Sequence, residues 1–145
     1  QSPLVELLAR HGCLACTDVT GFGLLGHLGE MLTPGVGVCL DGQAIPTHAG
    51  ALELLEAGWA SSLAPANAAA LDLLAPDGPV TLAAPLEPLN HQLWIDPQTC
   101  GPLLAALPAA TANAALRELQ AAGFAQAALI GTVEPKGHAT RHREP

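Results

Sequence analysis

At 145 residues, half of them apolar and only 12% charged, the chain suits one packed domain and is too short to expect two. That composition excludes a disordered polypeptide. Its net charge is −8, and Arg10 and Arg117 are the only formal cations before Lys136. Nucleic acid is therefore excluded as an expected partner, because displacing counterions from phosphates needs clustered Lys and Arg.

Apolar runs are broken by Gly, Pro or charge well before the ~18 residues of a membrane span, so no membrane partner is expected. The first residues lack the basic start and small-residue cleavage site of a secretory signal, which points to the cytoplasm. Residues 1–11 read as the end of a preceding element or linker. Residues 12–135 read as the domain, and residues 136–145, with Lys136, Arg141 and Arg143, as a flexible tail.

In chain order, Ser2 as N-cap and Pro3 at the first helical position start a short helix through Leu8. Gly12–Thr17 is expected as a strand. Phe22–Leu32 is a helix with Leu25, Leu28 and Leu32 on one face, ended by Pro34-Gly35. Val36–Leu40 is a strand closed by Asp41-Gly42. Ala49–Ala57 is a helix with Leu52 and Leu55 inward. A loop from Gly58 to Pro65 leads to a helix over Ala66–Leu74. Val80–Leu82 is a short strand, Leu89–Trp94 a short helix and Leu103–Leu107 a strand. Ala109–Ala122 is a helix capped by Gly123, and Ala127–Val133 is the last strand. Alternating strands and helices with short connections imply an α/β chain of the α+β type, with helices covering a mixed sheet.

The four cysteines do not form a convincing zinc set. Cys13-x-x-Cys16 has ligand spacing, but no second pair completes a tetrahedron, so buried, inert thiols are expected. More informative is Thr17-Asp18-Val19-Thr20-Gly21-Phe22-Gly23. An acid follows a strand and is succeeded by a glycine turn and a helix N-terminus. Such a turn offers backbone N–H groups and a partial positive charge to an anion. A neighbouring carboxylate suits Mg²⁺, which neutralises phosphate oxygens. With so few cations in the chain, phosphate charge would be met by metal, backbone and another polypeptide segment together. A turn acid satisfied by backbone amides is the plainer reading of Asp18. Gly26 reads as a packing position and His27 as a packed or capping histidine.

The segment Ala15–Leu28 resembles the opening of the C-terminal domain of selenophosphate synthetases (selenide, water dikinases), within the aminoimidazole ribonucleotide synthetase-like superfamily. Ala44-Ile45-Pro46, the Ser61-Ser62 to Asn67 loop and Asp96-Pro97-Gln98-Thr99 follow in the family's order, so the likeness covers about residues 12–135. It implies ATP and selenide as substrates, with selenophosphate, AMP and phosphate as products, Mg²⁺ as cofactor and a homodimer as the usual assembly. By the same likeness Asp18 is a Mg²⁺ ligand, and Thr17, Asp18, Thr20, Gly21 and Gly23 contact the nucleotide.

The family's reactive Cys or Sec, its lysine and its further aspartates belong to an N-terminal catalytic domain. Nothing here matches them, so no catalytic residue is expected in this chain and the chain alone is expected to be inactive. The sequence departs from the family at Thr99-Cys100-Gly101-Pro102, where Thr-Ser-Gly-Gly is common, and at Ala66, where an arginine often precedes the asparagine. A related ATP-dependent synthetase and a non-catalytic dimerisation or regulatory module are the alternatives.

Overall fold

The computed structural model describes residues 3–136. The N-cap assigned to Ser2, and the tail beyond Lys136, lie outside the described residues. Helix α1 (Pro3–Arg10) leads to strand β1 (Ala15–Asp18), helix α2 (Gly23–Met31) and strand β2 (Val36–Leu40). Helix α3 (Ala51–Glu56), a 3₁₀ segment (Ala64–Leu74), strand β3 (Val80–Leu82) and helix α4 (Pro88–Ile95) follow. Strand β4 (Leu103–Ala106), helix α5 (Ala109–Ala121) and strand β5 (Gly131–Pro135) complete the order.

The strands form two sheets. In one, β2 is central, parallel to β3 and antiparallel to β5, giving the expected mixed sheet. In the other, β1 and β4 form an antiparallel ribbon, with Asp18 opposite Leu103 and Cys16 opposite Ala105. Helices α2 and α4 pack against each other and against the 3₁₀ segment, α3 packs on α4, and α1 packs on α5. Among the described residues, no helix is long and apolar enough to cross a membrane.

The core joins Val19, Leu24, Leu25 and Leu28 to Val38, Leu40, Val80, Trp94 and Ile95. The helical spacing of Leu25, Leu28 and Leu32 does face this core: Leu25 is fully buried, Leu28 is buried and Leu32 packs against them. Alternation in β2 buries Val38 and Leu40 while Cys39 stays half-buried. Leu55 of α3 is buried as expected, and Leu52 only partly.

Three elements differ from the sequence reading. Strand β1 starts at Ala15 rather than Gly12, because Gly12 terminates α1. Its φ of +77° lets Cys13 N–H reach Leu8 O (3.0 Å) and Gly12 N–H reach Ala9 O (3.0 Å), a left-handed helix end. Strand β5 starts at Gly131 rather than Ala127, since Ala127 is held back at the end of α5. Ala127 N–H donates to Phe124 O (2.9 Å), and Gln120 Nε2 donates to Ala127 O (3.1 Å). Lys136, assigned to the tail, is half-buried and donates its N–H to Gly35 O at 2.9 Å.

The third difference is the 3₁₀ geometry of Ala64–Leu74 in place of an α-helix. Ala64, Asn67 and Ala70, spaced by three, are half-buried, as are Leu71, Leu73 and Leu74, while Pro65, Ala66, Ala68 and Ala69 are exposed. A helix of three residues per turn stacks such positions in one row. Tertiary contact along that row outweighs the usual preference for the α form.

The ribbon's helices are tied at the surface. Arg10 Nη2 lies 3.2 Å from Glu118 Oε2, and His11 Nε2 lies 3.1 Å from Glu118 Oε1. These two donors, His11 first, hold the Glu118 carboxyl below its ordinary value. The contribution of the clamp is therefore present above about pH 4.5 and is lost as pH falls through the lowered value.

Candidate functional site

Asp18 closes β1 on the exposed face of the ribbon, which it shares with Cys16 and, across the ladder, Leu103. Among the described residues no hydrogen bond or ion pair engages its carboxylate. The plainer reading, an acid satisfied by turn amides, is therefore absent from the described contacts. Thr17 is half-buried, and its hydroxyl donates to Asp18 O at 3.3 Å.

Beyond Asp18 the chain turns through Val19–Phe22 into α2, and two segments, at Asn67 and at Gln98–Pro102, hold this turn from outside. Val19 N–H donates to Pro102 O (2.9 Å), and Gln98 N–H donates to Thr20 O (3.0 Å). Asn67 Nδ2 donates to both Gly21 O and Ile95 O, each at 2.9 Å. Thus the Thr17–Gly23 segment, the Asn67 loop and the Asp96–Gly101 segment, more than 70 residues apart at the extremes, meet at one place. Spacing alone does not reveal that Asn67 is a clamp. The signal is a single polar side chain amid alanines, on the inward row of a helix with period three.

Asn67→Ala would remove two hydrogen bonds that stitch the turn to α4. A loss of about 1–3 kcal/mol is expected, measured as a lower urea midpoint with an unchanged m-value.

The glycines divide by task. Gly21 is exposed, with open space where a Cβ would sit. Gly23 is buried at φ +66°, and a Cβ there would lie 2.7 Å from Trp94 O and from the Ile95 carbonyl carbon. The bare hydrogen lets the start of α2 press on the end of α4. Helix α2 begins at Phe22 without a side-chain cap, although Gly23 N–H is taken by Thr20 O at 3.1 Å. The polar residue Asp96 has a structural task, since its Oδ1 accepts the Ser61 N–H at 2.9 Å.

The cysteines do not match the expected buried thiols. Cys16 and Cys100 are exposed, Cys13 and Cys39 are half-buried, and all four are free. Partial burial pushes the Cys16 thiol above its ordinary value, and the Cys13 thiol and the Asp18 charge add to this. Such a thiol stays protonated near neutrality and is a weak nucleophile.

Among the described residues, no three His, Cys, Asp or Glu side chains converge as a metal cage. A single exposed carboxylate without an internal partner nevertheless fits Mg²⁺, which keeps several waters and takes one or two carboxylates plus phosphate oxygens. Asp18 would be the residue to hold it. Two surface clefts, of about 120 and 480 Å³, are lined by other residues. The larger runs along Gln43, Ile45, Thr47, Glu87 and Asn90. Asp18 instead lies on open surface, bordered in sequence by the exposed Leu14 and Phe22.

Comparison with known proteins places this geometry in a family. The chain is similar to the selenide, water dikinase of Myxococcus xanthus, with 41% identity over 123 residues, 83% of this chain and 33% of that protein. The selenide, water dikinase of Agathobacter rectalis is 38% identical over 117 residues, 81% of this chain and 32% of that protein. That of Pseudomonas straminea is 36% identical over 134 residues, covering 91% and 36% respectively. The chain spans about a third of the length of these curated relatives. The model of the AIR synthase related protein, C-terminal domain, matches residues 3–143; with the α+β architecture and the turn described above, this chain belongs to that family.

Proposed function

We propose that this chain is the ATP- and Mg²⁺-phosphate-contacting C-terminal domain of a selenophosphate synthetase. It works with an N-terminal catalytic domain of the same protein, in a cytoplasmic homodimer. The reaction converts ATP, selenide and water to selenophosphate, AMP and phosphate. The observation that carries this reading is the exposed Asp18, unpartnered among the described residues, beside a backbone turn held by two separate segments. Its relatives are named selenide, water dikinases and are about three times as long as the matched region, which supports a division of the site between two domains.

Physical chemistry favours the same division. A triphosphate carries several negative charges, and the described part of this chain offers Arg10, Arg117 and Lys136 as its Lys and Arg cations. Arg10 is engaged with Glu118, and Lys136 with the carbonyls of Asp77 and Gly78. Phosphoryl transfer depends on positioning and charge neutralisation. Metal held by Asp18, backbone amides around Gly21 and cations from the other domain would supply these jointly. Pro102 lacks an N–H for an anion, but its carbonyl anchors Val19, so the departure at this position retains a structural task.

The test is selenide-dependent AMP formation by the full-length protein with Mg-ATP, followed by phosphorus NMR. Selenophosphate and AMP in equal amounts are expected, and no product from residues 1–145 alone. ATP turnover driven by a different acceptor would assign the protein to another synthetase. Normal Mg-ATP binding without any turnover would favour a non-catalytic module.

A further inference from the structure

His27 is a buried polar residue, with 7% of its surface exposed, and the proposed chemistry gives its ring nitrogens no task. It lies on α2, one turn beyond the Asp18–Gly23 segment, and its ring stands 5.5 Å from that of Phe22. Its Nε2 is 3.2 Å from Thr20 Oγ1. Its Nδ1 is 3.0 Å from Glu30 Oε2 on the next turn, though without the alignment of a full hydrogen bond.

The Glu30 carboxylate, 3.0 Å away, favours the ring form with hydrogen on the neighbouring Nδ1, since a carboxylate only accepts. In that neutral form Nε2 is a bare acceptor, and the Thr20 hydroxyl donates to it. With its hydrogen committed inward, the Thr20 oxygen has only lone pairs left for any other partner. An oxygen in that state repels a phosphate oxygen and receives a donor such as a water bound to a divalent cation.

We propose that Glu30, His27 and Thr20 form a positioning relay that turns the Thr20 hydroxyl into an acceptor for metal-bound water, two residues from the acid that would hold the metal. The assignment rests on the function proposed above and deepens it. Thr20 serves the hydration shell of the cation rather than the triphosphate. His27 and Glu30 act through Thr20 and touch neither metal nor nucleotide. Without the histidine the hydroxyl is free to rotate and donate outward, and the acceptor is lost.

Two readouts on the full-length protein test this. Nitrogen NMR of histidine-labelled protein, with His27→Gln used for assignment, is expected to give the pattern of a ring protonated at Nδ1. In Glu30→Gln that pattern should shift toward the other tautomer. Mn²⁺ binding in the presence of ATP, followed by electron paramagnetic resonance, should weaken about tenfold in Thr20→Val and in His27→Phe. Thr20→Ser, which keeps the hydroxyl, and His27→Gln, whose amide oxygen can replace the Nε2 acceptor, should bind within about twofold of wild type.

A ring protonated at Nε2 in wild type, or unchanged Mn²⁺ affinity in Thr20→Val, would overturn the relay. Thr20→Val is isosteric, so it tests the relay even where His27→Phe fails to fold. If wild type binds no Mn²⁺ with ATP, the function itself falls and the relay loses its task, whatever the tautomer. Normal metal binding with the wrong tautomer removes the relay alone.

Discussion

Asp18→Ala in the full-length protein is expected to lower ATP turnover by at least about 10²-fold, the usual cost of removing one preorganised electrostatic contact to reacting groups. The fold should be indifferent to the change. Asp18 is exposed at the end of β1, and among the described residues its carboxylate makes no hydrogen bond or ion pair. An exposed position of this kind ordinarily moves stability by no more than about 0.5 kcal/mol. The thermal midpoint and the urea midpoint should therefore stay at their wild-type values while activity falls. Turnover and Mg²⁺ dependence that match wild type would remove Asp18 from the site.

A second large effect separates two glycines of the same turn. Gly23→Ala should destabilise the protein by roughly 2–5 kcal/mol. About 1–2 comes from holding a side chain at φ +66° in the left-handed region. About 1–3 comes from overpacking, since the new methyl would sit 2.7 Å from Trp94 O. Gly21→Ala meets nothing within 4 Å and has no positive φ, so its unfolding free energy should change by less than about 1 kcal/mol. If the Gly21 backbone lies against phosphates, the same substitution raises the KM for Mg-ATP in the full-length protein. Urea denaturation and steady-state kinetics on both variants give the two axes. A stable Gly23→Ala protein would contradict the packing described for α2 on α4.

The sequence is legible where one periodicity acts alone. Helix α2 shows its apolar face at Leu25, Leu28 and Leu32, and β2 lies where Pro34-Gly35 and Asp41-Gly42 bracket five apolar or small residues. Helix α5 starts at Ala109 and ends just before Gly123, as its pattern and its glycine imply. Legibility fails where a tertiary partner decides the outcome. Nothing local distinguishes an α from a 3₁₀ segment over Ala64–Leu74, which packs against α2 and α4. Gly12 reads as a strand start, and only the approach of Leu8 and Ala9 carbonyls makes it a helix end.

The candidate site shows the same limits. Thr17, Asp18, Thr20, Gly21 and Gly23 adjoin by sequence, so their shared location follows from the chain itself. What holds them is largely hidden: Gln98 and Pro102 act through a main-chain amide and a main-chain carbonyl, which leave no side-chain pattern in the sequence, and the Asn67 side chain finds only main-chain carbonyls as partners. His27 reads as a packing residue, and its burial agrees. Its contacts with Thr20 and Glu30 depend on rotamers that spacing along α2 permits but does not dictate.

The most direct measurement titrates Mn²⁺ into the full-length protein with a non-hydrolysable ATP analogue, comparing wild type with Asp18→Asn by electron paramagnetic resonance. Asp18→Asn keeps the size and position of the side chain and removes its charge. Loss of one metal site, or at least about tenfold weaker binding at one site, is the predicted result. Equal stoichiometry and equal affinity in the two proteins would contradict the assignment of Asp18 as the metal-bearing acid.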